Sequence, residues 1–106
     1  MSYRFMRIIV FFDLPVETSA NRRAYTAFRK FLLKKGFMLM QKSVYCKLLL
    51  NKTAAEATAE NIRSHKPNDG LVQILLITEK QYSRIEIIVG SCENDVIATD
   101  ERFIEL

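Results

Sequence analysis

The chain opens on a nearly continuous apolar run, Phe5-Met6-Arg7-Ile8-Ile9-Val10-Phe11-Phe12, closed by Asp13 and Pro15. Such a run fits a strand at the centre of a sheet, covered on both faces. Pro15 has no amide to give a ladder and prevents simple continuation. The period then changes. At ~100° per residue, Ala24, Tyr25, Phe28, Phe31 and Leu32 share one face, which predicts a helix from about Thr18 to Lys35. Thr18 or Ser19 can cap it, and Gly36 stops it. Its other side is basic: Arg23, Lys30 and Lys34 form one stripe, Arg22 and Arg29 another.

Phe37 to Leu50 reads as two extended segments with a bend near Gln41-Lys42-Ser43. Val44, Cys46, Leu48 and Leu50 share one parity, and Tyr45 and Lys47 the other. Thr53-Ala54-Ala55-Glu56 has the form of a capping box and predicts a second helix to about His65. Pro67-Asn68-Asp69-Gly70 is a stop and turn. Leu71 to Thr78 is another buried-type strand, and Thr78-Glu79-Lys80-Gln81 a short capped turn. Ile85 to Val89 reads as a further strand, and Arg102-Phe103-Ile104 as one more. Strand, helix, strand, strand, helix, strand is the ferredoxin-like βαββαβ plan, an α+β fold with both helices on one face of an antiparallel sheet. The bare face needs cover, and a homodimer packed sheet to sheet supplies it.

Composition narrows the class. The 106 residues make one domain, with about 1–84 as core and 85–106 as a C-terminal strand extension. Hydrophobic residues are 49% and charged residues 26%, values that suit a globular fold and not a disordered one. No apolar run reaches the ~18 residues of a membrane span, and no signal peptide is visible. Cys46 and Cys92 make neither a disulfide framework nor a zinc spacing, which points to the cytoplasm. The net charge of +4 is uneven. Residues 1–35 hold eight Lys/Arg against two acids, and residues 93–106 hold one against five. A basic front suits a polyanion, and an acidic tail a separate protein contact.

Few residues carry candidate chemistry. Asp13 ends a buried strand, and a carboxylate there suits magnesium or manganese, which take one or two carboxylates plus water and phosphate. One Asp per chain is a poor metal site, but two-fold symmetry would double it. The plainer alternative is a turn-forming Asp before Pro15. Arg22, Arg23, Arg29, Lys30 and Lys34 carry no interleaved acid, and such a face neutralises phosphates. The alternative is an ordinary solvated face. Ser43 offers a hydroxyl at the bend. His65 and the two thiols have no partners in sequence for nucleophilic catalysis, and no glycine-rich phosphate loop exists.

Taken together, Ile8 to Pro15 with its terminal Asp13, the Arg22-Arg23 pair, Gly36-Phe37, and Gln41-Lys42-Ser43-Val44-Tyr45 resemble the CRISPR-associated protein 2 family. Leu48 to Asn51 and Ile77 to Gln81 look most like its type II form. The resemblance implies a ferredoxin-like homodimer with magnesium-dependent, or manganese-dependent, endonuclease activity on RNA or DNA. It implies that Asp13 binds the metal facing its symmetry mate. It ties Arg22, Arg23, Ser43 and Phe37 to phosphate contact or the active cleft. It also implies a role in spacer acquisition, in which the dimer bridges the CRISPR integrase and holds a duplex DNA fragment by its backbone. Phe12 stands where many members have Tyr, which removes a hydroxyl expected near the scissile phosphate. A purely structural DNA adaptor and a toxin-like ribonuclease of the same fold are the competing readings.

Overall fold

The computed structural model describes residues 5–91. Four strands form one antiparallel sheet in the order β2-β3-β1-β4: β1 (Met6–Asp13), β2 (Met38–Gln41), β3 (Val44–Leu49) and β4 (Leu71–Thr78). Helices α1 (Ser19–Lys34) and α2 (Lys52–Ser64) connect them, and a short α3 (Glu79–Tyr82) follows β4. This is the ferredoxin-like arrangement. β1 pairs with both β3 and β4, so the apolar opening run is the central strand.

The strand period of two decides the core. Ile8, Val10 and Phe12 of β1 face the helices with Tyr45 and Leu49 of β3, and they pack on Phe28, Leu32, Ala55, Ala59 and Ile62. Phe12 anchors this layer with rings at 5.2 Å from Phe28, 5.7 Å from Tyr45 and 5.8 Å from Tyr25. The other face carries Arg7, Ile9, Phe11 and Asp13, and no long helix among the described residues covers it. Leu48, Leu71 and Leu75 stand exposed there.

Local chemistry explains the helix limits. Thr18 accepts the Asn21 amide at 3.0 Å and caps α1. At the far end Gly36 (φ +93°) takes the left-handed turn. The Phe37 amide donates to Leu32 O and the Gly36 amide to Leu33 O, which is a Schellman closure, with Phe37 and Leu32 both buried. Lys47 Nζ donates to Lys35 O, a cation where the helix dipole favours one.

Three expectations need correction. The cap of α2 is Asn51, whose Oδ1 accepts the Ala54 amide at 2.8 Å, and Thr53 lies inside the first turn. Both residue types cap well, and the chain enters the helix at the earlier one. Ile85 to Val89 forms no strand, although it shares a surface depression with Met40 and Gln41 of the edge strand β2, and its apolar side chains are exposed. Leu71 to Thr78 is an edge strand and not a buried one, with Leu71 and Leu75 exposed; in β3, Tyr45 and Leu49 enter the main core, while Val44, Cys46 and Leu48 lie on the face away from the helices. Cys92 and the Arg102-Phe103-Ile104 segment lie outside the described residues.

Thr78 caps α3 through a reciprocal capping box with Gln81. α3 is tied back to β1. Arg7 Nε donates to Glu79 at 2.6 Å, and its guanidinium lies 4.2 Å from the Tyr82 ring centre. Burial alone would lower the Arg7 pKa, but the hydrogen bond and charge of Glu79 outweigh it, and the net direction is upward. The group buries Cys46 Sγ, 3.6 Å from Arg7 and 3.8 Å from the Tyr82 hydroxyl.

Candidate functional site

Asp13 is the last residue of the central strand and is exposed on the face away from the helices. It sits opposite Leu71 of β4. Beside it the β2–β3 hairpin turns through Lys42 and Ser43. The Phe12 amide donates to Ser43 O at 3.0 Å, which stitches that turn to β1. Ser43 adopts φ +62°, a left-handed conformation that costs a non-glycine residue about 1–2 kcal/mol. Asp13, Lys42, Ser43, Leu71 and Gln73 line one shallow depression of about 160 Å³.

Gly70 fixes the geometry from the other side. Its φ is +91°, and a Cβ there would lie 2.7 Å from Asp13 O and 2.8 Å from Leu14 Cδ2. Only glycine lets the α2–β4 turn approach the Asp13 backbone this closely. Lys42 and Gly70 are the two contributors that sequence reasoning missed. Gly70 was visible as a turn residue, and its contact with Asp13 required the β1–β4 register.

As metal chemistry, the depression is lined by one carboxylate, one hydroxyl and one side-chain amide, from Asp13, Ser43 and Gln73. Among the described residues no group of three or more Asp, Glu, His or Cys side chains converges. That donor set fits a hard cation such as magnesium only when shared, since such ions keep several waters and take one or two carboxylates. Asp13 lies on the bare face, where a second copy can bring a second carboxylate.

Arg22, Arg23, Arg29, Lys30 and Lys34 are all exposed on α1, a helix with no acidic residue. They differ in engagement. Arg22 donates to Val16 O at 3.1 Å and Glu17 O at 3.2 Å, bracing the entry loop of α1. Arg23, Lys30 and Lys34 fall within about 40° of one another around the helix. They have no acidic partner among the described residues. Arg22, Arg23 and Lys30 border a surface depression that shares no residue with the one holding Asp13. The single chain therefore presents a carboxylate and a cation stripe on separate surfaces.

Phe12 is among the residues lining the Asp13 depression, although its ring packs in the core, whereas Phe37 does not line it. Phe12 points into the core, on the opposite side of the sheet from Asp13, so a Tyr hydroxyl at this position would start from the core side. Phe37 is also core, and it precedes the pair Met38–Cys46, level with Ile8 of β1. Five residues of strand, about 17 Å, separate that level from Asp13.

The sequence profile described as "CRISPR associated protein Cas2" matches residues 6–85. The chain belongs to the Cas2 family. It is 52% identical to a Treponema denticola protein named "CRISPR-associated endoribonuclease Cas2", over 95% of this chain and all of that one. A Ligilactobacillus salivarius protein of the same name is 45% identical over 95% of this chain and all of its own length. A solved structure titled "Crystal structure of cas2" superposes with a TM-score of 0.57, covering 84% of this chain and 91% of that one at 22% identity, which shows the fold. The Cas2 match spans every strand and helix described above.

Proposed function

We propose that the protein is a nucleic-acid-holding subunit of CRISPR spacer acquisition that also cleaves phosphodiester bonds. The observation that carries this reading is the acid-free stripe of Arg23, Lys30 and Lys34, exposed and without acidic partners among the described residues. Such a stripe recognises backbone phosphate by charge and spacing and carries no base information. Arg22 and Arg29 add to the same field, and Ser43 offers a hydroxyl beside Asp13.

The working unit is a homodimer that buries the bare sheet face. Exposed Leu48, Leu71 and Leu75 supply its apolar contact. The segment from Ile85 onward is the arm that adds to it, since Ile85, Ile87, Ile88 and Val89 are exposed in the single chain. In this dimer the two Asp13 carboxylates would hold a magnesium or manganese ion, which would supply charge neutralisation at a phosphate and an activated water. Ser43 and Lys42 would orient the phosphate, and the surrounding strand ends would fix the carboxylates. The relatives' name supports RNA as the cleaved substrate. Duplex DNA is the held substrate, and the acidic segment 93–106 contacts the CRISPR integrase by charge. No helix among the described residues is long and apolar enough to cross a membrane, and we place the activity in the cytoplasm.

The test is duplex DNA affinity measured against salt. Wild-type protein and Asp13→Ala should bind alike, with affinity falling steeply as salt rises. The combined Arg23→Ala, Lys30→Ala, Lys34→Ala protein should lose most of that slope. Unchanged affinity and slope in the combined variant would refute the reading.

A further inference from the structure

A groove on the helical face runs between α1 and the loop joining α2 to β4. One end, bordered by Pro15, Ala20 and Asp69, holds about 170 Å³. Past Ala24 and Asn68 it opens into a pocket of about 310 Å³ walled by Ala27, Phe31, His65 and Lys66. That volume is at the lower end of pockets that take small ring ligands, about 300–1,000 Å³.

The walls have a definite chemistry. Phe28 and Phe31 stack at 6.2 Å and 25°, and Phe31 and His65 at 4.3 Å and 16°. This ladder starts in the core at Phe28 and ends in solvent at His65. The His65 ring is held in place, with Nδ1 2.9 Å from the Asn61 carbonyl, so that Nδ1–H donates there. An aromatic ladder with an exposed last rung offers a π face to one more flat ring. The charge around the larger pocket is positive, with Asp69 confined to the smaller end of the groove. Lys66 lines the pocket, and Arg23, Lys30 and Lys34 lie within about 100° of Phe31 around α1. Ala27 belongs both to this pocket and to the basic depression beside it. A flat apolar ring with anionic groups on its flanks matches these walls, and a paired base inside a duplex cannot reach them.

We propose that this pocket takes an unpaired nucleobase, stacked on the Phe31–His65 ladder, with its flanking phosphates held by Lys66 and the α1 stripe. This deepens the nucleic-acid reading above and rests on it. It gives the protein a single-strand subsite on the helical face, apart from Asp13.

The experiment compares two single strands of roughly 15 nucleotides, equal in charge. One is oligodeoxythymidine, and the other is an abasic strand of the same length. Duplex DNA is measured alongside. Wild-type protein should bind the base-bearing strand about fivefold or more tightly than the abasic one, the effect of one stacked base. His65→Ala should erase that preference and leave abasic affinity unchanged, while His65→Trp should keep it and show that the fold is intact. Equal affinity of the wild type for both strands overturns the subsite, and so does an equal loss on both strands in His65→Ala. Duplex binding retained in those cases leaves the broader reading standing. A wild type that binds neither duplex nor single strand overturns both.

Discussion

Tyr45 and Cys46 are neighbours in β3 and both are buried, yet different things bury them. Tyr45 packs under the helices in a layer that includes Phe12 and Leu49. Cys46 lies on the other face, beneath the Arg7 guanidinium and near the Tyr82 hydroxyl of α3. The helical face is closed by the chain itself and carries the cation stripe on its outer surface. The opposite face is only partly closed, leaves leucines in solvent, and carries Asp13 at its edge. One face holds the fold together and carries exposed cations without acidic partners among the described residues. The other leaves apolar side chains exposed among the described residues, and on our proposal its carboxylate acts when a second copy covers that face.

Substitutions on the two faces should therefore fail differently. The largest effect is expected at the helical-face core. Phe12→Ala removes a ring packed against three others and should cost about 3–5 kcal/mol in denaturant unfolding. Phe12→Tyr should change cleavage little, because this ring faces the core. On the unfinished face, Leu75→Asp should leave the protomer folded and weaken self-association by roughly a hundredfold or more, since an unpaired charge would enter the contact. Sedimentation equilibrium reads this directly. A folded protein that still dimerises at wild-type strength would show that this face is not the dimer contact.

Smaller effects sharpen it. The combined replacement of Arg23, Lys30 and Lys34 should lower the slope of log affinity against log salt by about 3, near 0.9 per phosphate contact. Arg22→Ala should cost stability as well as affinity, because Arg22 braces the entry of α1. Glu79→Gln should cost about 1 kcal/mol by weakening the hold on α3. The Arg7 pKa is raised by folding, so its contribution is complete below its ordinary value and lost only in strong alkali. Thermal stability near neutral pH should show no inflection from Arg7. Ser43→Gly should raise stability by several tenths of a kcal/mol by relieving the left-handed conformation.

Much of this architecture was legible because local signals punctuate it. Thr18 and Gly36 bound α1, Gly70 and Thr78 bound β4, and the apolar opening run marked the central strand. Asp13 was visible as the residue where that run stops. What sequence could not rank were choices that depend on tertiary neighbours. Asn51 and Thr53 both cap helices. Val44-Tyr45-Cys46 is apolar in both parities, and the helices decide which side is inside. Ile85-Glu86-Ile87-Ile88-Val89 has strand composition, but composition does not decide pairing, and this segment joins neither of the free edges, β2 and β4. Arg22 and Arg23 look alike in sequence, and the loop carbonyls of Val16 and Glu17 separate their roles. The distance between Phe37 and Asp13 followed only from the register of three strands.

On our proposal Asp13 gives the unfinished face a metal-dependent chemistry separate from binding. Cleavage of single-stranded RNA and of duplex DNA by purified protein tests it most directly, with magnesium, with chelator, and with Asp13→Ala. The account predicts cleavage of RNA that disappears in both controls while nucleic-acid binding by Asp13→Ala persists. Cleavage that is absent from the wild type, or equal in Asp13→Ala, would contradict it.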